Sequence, residues 1–72
     1  MLFLEILRLR RGLSKAEAAR LVRMLLVEYS LAERGLLTPS EAQAGRLEHA
    51  FGYSIAQLLT PIDSPPPAEA RS

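Results

Sequence analysis

Two kinds of chemistry are open to the residues of this chain, and one fails at once. The only histidine, His49, stands beside Glu48, a pairing of imidazole and carboxylate that general-base catalysis would use. Neighbours on a helix point about 100° apart, so the two side chains do not cooperate, and His49 reads as a solvent-exposed helix residue. There is no Gly-rich phosphate loop, no nucleophile elbow and no metal-ligand spacing. With no cysteine, there is neither a disulfide framework nor a thiolate metal site. The expectation is a protein that is not an enzyme and carries no cofactor or metal. The second chemistry is ionic. Residues 8–23 hold Arg8, Arg10, Arg11, Lys15, Arg20 and Arg23 against Glu17 alone, a local basic patch suited to a polyanion.

The whole chain is less one-sided. Nine Lys and Arg face eight Asp and Glu, for a net charge of +1, below what a dedicated non-specific nucleic-acid binder carries. Its 72 residues allow one small core, with a stability of about 3–5 kcal/mol unless the chain associates. Hydrophobic content of 49% and charged content of 24% fit a globular protein. The apolar start from Met1 to Leu9 is interrupted by Glu5 and Arg8, too short and too charged for a membrane span or signal peptide. A cytoplasmic protein with no membrane contact is expected.

Five helices would have to position these charges. The first runs from about Leu2 to Arg11, with Leu4 and Leu7 facing the core and Gly12 as its stop. Phe3, Ile6 and Leu9 form a second apolar stripe, more than a short surface helix needs. The second helix begins at Ser14, whose spacing to Glu17 is that of a capping box. Ala18, Leu21 and Val22 are expected inward. No Gly or Pro lies between Lys15 and Arg34, which leaves open one unbroken helix about 30 Å long. Gly35 ends the third helix. Thr38, Pro39 and Glu41 offer an N-cap, a first-turn proline and a third-position acid for a fourth helix reaching about Ala50, with Ala44, Leu47 and Phe51 inward. Ser54 and Gln57 repeat the capping logic for a fifth helix that ends near Leu59. The domain is expected to span residues 1–60, followed by a flexible Pro-rich tail over 61–72.

From Leu4 to Leu59 these residues fall into a pattern. It reads Leu4-x-x-Leu7-Arg8, Arg11-Gly12-Leu13-Ser14, Glu17, Ala19, Tyr29-Ser30, Glu33-x-Gly35, Pro39-Ser40, Leu47-x-x-Ala50-Phe51-Gly52-Tyr53-Ser54 and Leu58-Leu59. The pattern resembles the phage-repressor/Cro-type (XRE-type) helix-turn-helix family. That resemblance implies an all-α, five-helix lambda-repressor-like domain and a dimeric transcriptional regulator that binds duplex DNA. It places the turn at Arg23-Met24-Leu25, where the family usually supplies Gly, an aliphatic residue and then Ser or Thr. Arg23 and Leu25 depart from this. A left-handed Arg costs about 1 kcal/mol or slightly more. The bent form is still preferred, because a straight rod cannot fold back over one small core.

The resemblance also assigns roles. Lys15 falls at the start of the second helix, near phosphate, and Arg34 at a backbone-contact position past the third. Arg11, Arg20 and Arg23 would add phosphate contacts. The base-reading positions fall on Leu26, Val27 and Leu31, with Glu28 and Ser30 nearby. Base edges are read by hydrogen bonds, which Leu and Val cannot make. Tyr29 reads as a core aromatic with its hydroxyl at the rim. Two functions stay open. One is a DNA-binding regulator with stronger backbone contacts than base readout. The other is a helix-turn-helix-derived module that binds a protein partner through Leu25, Leu26 and Leu31. A homodimer is expected through that face or through Phe3, Ile6 and Leu9, since exposed apolar patches mark interaction surfaces.

Overall fold

A computed structural model describes residues 1–62. Among them the chain forms five helices and no strand: α1 (Phe3–Arg10), α2 (Lys15–Leu21), α3 (Leu26–Glu33), α4 (Glu41–Phe51) and α5 (Ile55–Leu58). The tail expected over 61–72 lies outside the described residues from position 63 onward. Its first two residues join the fold: Pro61 bridges to Leu2, and the Ile62 N–H donates to the Met1 carbonyl at 2.7 Å.

Local chemistry sets most boundaries. Ser14 and Glu17 form the expected reciprocal capping box at the start of α2, as do Ser54 and Gln57 at α5. At α4 the cap is Ser40 with Gln43, two residues beyond the expected Thr38. Thr38-x-x-Glu41 and Ser40-x-x-Gln43 share the capping spacing. The second prevails, with Ser40 Oγ accepting from the Gln43 N–H at 3.2 Å and Gln43 Oε1 accepting from the Ser40 N–H at 2.9 Å.

One core lies between the helices. Leu4 and Leu7 of α1 meet Ala18, Ala19 and Val22 at α2, Tyr29 and Ala32 of α3, Leu47 and Phe51 of α4, and Leu58 of α5. Ala44 is only half-buried. Leu21 was expected inward, yet it is 54% exposed. At 100° per residue, it stands about 100° away from the direction shared by Ala18, Ala19 and Val22.

The core also contains an ion pair that the composition hides. Arg8 is buried, not part of a surface patch. Its Nε donates to Glu33 Oε2 at 2.6 Å, its Nη2 to Oε1 at 3.3 Å, and its Nη1 to the Leu13 carbonyl at 2.8 Å. Bonding to Glu33 holds the guanidinium above its ordinary pKa. The forked geometry ties α1 to the last turn of α3 and fixes their register. Next to it, Tyr29 is fully buried, and its hydroxyl, expected at the rim, has no hydrogen-bond partner among the described residues. Burial, reinforced by the Glu33 carboxylate, pushes this phenol well above its ordinary pKa.

Candidate functional site

The segment from α2 to α3 is bent. α2 ends at Leu21, and Arg23 takes a left-handed backbone with φ of 57°. Two backbone bonds close the end. The Arg23 N–H donates to Arg20 O at 3.2 Å, and the Met24 N–H to Ala19 O at 2.9 Å. This is a Schellman motif with Arg in the place that usually takes Gly. Met24, the residue after it, is buried against the core. The preferred bent arrangement is therefore the one observed, and the continuous helix is not.

At the start of α3, Leu25 has no side-chain oxygen with which to cap. Half of the capping job is done by Glu28, whose Oε1 accepts from the Leu25 N–H at 3.3 Å. The same oxygen accepts from Gln43 Nε2 at 3.4 Å. Glu28 was expected near base edges, and its carboxylate is instead engaged within the fold.

Helical geometry sorts the remaining α3 residues. Tyr29, Ala32 and Glu33 point inward and are buried. At 100° per residue, Val27, Ser30, Leu31 and Arg34 fill the opposite arc, while Leu26 lies on the flank beside Glu33 and is exposed because it stands in the first turn. Leu26 is 52% and Val27 62% exposed, and Leu25 just before them is 67% exposed. Ser30 and Leu31 are half-buried, while Arg34 is exposed. Leu36, just past the helix, adds another exposed aliphatic side chain that the sequence reading did not single out. The outer side of this segment is thus apolar, with one hydroxyl and one cation.

The basic residues separate into two groups. Arg8 is taken by Glu33. Arg11 donates from Nη1 to Ala50 O at 2.6 Å and from Nη2 to Phe51 O at 3.3 Å. Its guanidinium also lies 4.9 Å from the Phe51 ring centre, so it caps α4. Arg46 donates from Nε to Val22 O at 2.7 Å and from Nη2 to Arg23 O at 3.4 Å. Arg10, Lys15, Arg20, Arg23 and Arg34 are exposed, and their side chains form no hydrogen bond or ion pair among the described residues. Glu17 stands in the first turn of α2. Its carboxylate accepts from the Ser14 N–H at 2.8 Å, which holds its pKa below the ordinary value.

The α1 stripe is less open than expected. Phe3 packs on the core and meets Tyr53 edge-on, with ring centres 5.0 Å apart. Ile6 is half-buried, and only Leu9 stands well out. His49 is exposed and lines an open groove of about 410 Å³ between Leu21 and α4. Glu48 turns elsewhere, accepting from the Ile55 N–H at 2.7 Å. None of the described helices is long and apolar enough to cross a membrane.

Arg46, Gln43 and Glu33 are the residues that the sequence reading passed over. Glu33 was part of the quoted pattern, and its spacing from Gly35 was the available signal. Nothing local marked Arg46, because its partners lie more than 20 positions away in the chain. Comparison with protein-family models, curated proteins and solved structures finds no match for this chain.

Proposed function

We propose that this chain is a small helix-turn-helix DNA-binding regulator that acts as a homodimer. In this reading, Lys15, Arg20, Arg23 and Arg34 meet the phosphate backbone and α3 enters the major groove. The observation that carries it is the division of the cations. Three arginines are engaged by groups of the fold itself, and of the five exposed cations without a partner among the described residues four lie on α2, in its turn and just past α3, with Arg10 on α1 the fifth. Arg8 and Glu33, two positions of the quoted pattern, also meet in the core. Arg11, assigned a phosphate by that resemblance, is instead engaged with α4.

Base readout is weak in this reading. Ser30 is the only neutral hydrogen-bonding side chain on the outer arc of α3, and Leu26 and Val27 can touch only a thymine methyl. Binding should therefore be dominated by phosphates. Four phosphate contacts per protomer, eight per dimer, give a slope of log affinity against log salt of about −7.2, a loss of roughly 20,000-fold between 50 and 200 mM salt. A salt titration against a generic duplex tests this. No binding at low salt would overturn it.

The run of exposed Leu25, Leu26 and Val27 favours a second reading, a module that binds a protein partner through α3. Leu26→Glu together with Val27→Glu separates the two without touching the core. Under the first reading the fold survives and duplex binding is lost. Under the second, duplex binding is absent from the start and the charges break the protein complex.

A further inference from the structure

We infer that Arg46, assisted by Gln43, is a positioning residue for α3. From α4 it holds the α2–α3 turn in its left-handed form and so sets how the outer face of α3 is presented. Three helices end in the same motif. α1 closes at Gly12 with φ of 70°, α3 at Gly35 with φ of 75°, and α2 at Arg23 with φ of 57°. Gly adopts this conformation freely. At Arg the left-handed region is disfavoured roughly fivefold or more, and Leu25 brings no cap to the other side of the turn. Something outside the turn has to hold it.

α4 supplies that hold on both sides. The Arg46 guanidinium donates to the carbonyls of Val22 and Arg23 at 2.7 and 3.4 Å. These carbonyls flank the left-handed Cα, so they converge on one guanidinium only while the turn keeps this shape. Three residues earlier, Gln43 Nε2 reaches Glu28 Oε1, the oxygen that accepts from the Leu25 N–H. Gln43 is itself oriented by the Ser40 N–H on its Oε1. A hydrogen bond from a charged donor biases a local equilibrium by about tenfold or more, which outweighs the fivefold preference against Arg23. The positioning role rests on α3 being the binding face, but the hold on the turn can be measured with no ligand present.

The test is native-state amide exchange on the whole chain and on Arg46→Ala, Arg23→Gly and the double variant. The reporters are the Met24 and Tyr29 amides, which donate to Ala19 O and Leu25 O, and the Gly52 amide, which donates to Glu48 O at the end of α4. Arg46→Ala should speed exchange at Met24 and Tyr29 by about tenfold and leave Gly52 unchanged. Adding Arg23→Gly should restore roughly fivefold of the protection by removing the left-handed penalty. Arg46→Lys keeps the charge and the stem but not the fork. It should give an intermediate acceleration, and it decides the matter if Arg46→Ala does not fold. Unchanged exchange at Met24 and Tyr29, equal acceleration at Gly52, or no recovery with Gly at position 23 would each overturn the inference. Failure of the wild-type chain to bind duplex or partner would sink the proposed function and leave the exchange result to decide Arg46.

Discussion

Removing the carboxylate of Glu33 should cost this protein most of its stability. Arg8 makes three bonds, two to Glu33 and one to the Leu13 carbonyl, and the side chains of the pair are 7% and 1% exposed. Glu33→Ala leaves a buried guanidinium with one neutral acceptor. Breaking a buried pair from one side costs about 3–5 kcal/mol, close to the whole stability, about 3–5 kcal/mol, of a domain this size. The variant should therefore be largely unfolded at 25 °C. Arg8→Met combined with Glu33→Met removes both charges, and such replacements are neutral or stabilising by about 1–4 kcal/mol. The Leu13 carbonyl then loses its partner, which takes back about 1 kcal/mol. The double variant should thus lie between about 1 kcal/mol below and about 3 kcal/mol above wild type, well above Glu33→Ala. Urea melts followed by far-ultraviolet circular dichroism measure all three. A Glu33→Ala protein that loses less than about 1 kcal/mol would refute the reasoning, because the guanidinium would then have found water.

Tyr29→Phe removes a buried hydroxyl with no partner and should stabilise by about 1 kcal/mol; a clear loss in a urea melt would mean that the hydroxyl is bonded after all. The same change should also flatten the alkaline limb of stability. The folded phenol is held above its ordinary value, so its contribution is complete below about pH 10 and is lost as the unfolded chain ionises above it. Glu17 behaves in the opposite sense: its folded pKa is lowered, so its contribution is present above the ordinary carboxyl range and lost as pH falls through the folded value. Glu17→Gln should make the acid limb shallower, and an unaltered limb would count against the Ser14 bond. Sedimentation equilibrium at micromolar concentration should show a dimer; a species of 8.0 kDa alone at high concentration would reject self-association.

What was legible in the sequence was short in range. Ser14 with Glu17 and Ser54 with Gln57 are three apart, and Gly12 and Gly35 mark left-handed stops, so local hydrogen bonding decides them. Thr38 misled because two overlapping patterns offered a cap, and the Ser40–Gln43 pair completes both bonds. Leu21 misled because it stands three residues after Ala18, while the burial of Ala19 and Val22 turns the inward direction about 100° away from it. The fates of the arginines were not legible. Arg8, Arg11 and Arg46 look in composition like Lys15 and Arg20, but their partners are 24 to 40 positions distant for Glu33, the Ala50 and Phe51 carbonyls, and the Val22 carbonyl. A count of basic residues in a window treats them all as surface charge.

That division changes what the outer side of α3 can be asked to do. A basic patch of six residues over 8–23 would have suggested a phosphate-tracking surface. With Arg8 engaged by Glu33 and Arg11 by the end of α4, Arg10, Lys15, Arg20 and Arg23 remain from that segment, and Arg34 joins them past α3. The helix between them presents Leu26, Val27 and Leu31. Phosphates would be met by flexible side chains at the edges, while the centre would meet a base edge or an apolar partner with no hydrogen bonds to direct it except those of Ser30. Affinity without strong selectivity is the consequence if the ligand is duplex DNA, since phosphate contacts position a protein and base contacts specify its site. If the ligand is a protein, the same layout describes an apolar centre with a charged rim, in which the centre supplies most of the affinity and the rim mainly the rate of encounter. Salt separates the two. Raising it should collapse duplex affinity by roughly four orders of magnitude for a dimer between 50 and 200 mM, whereas the dissociation rate of an apolar protein complex should hardly move.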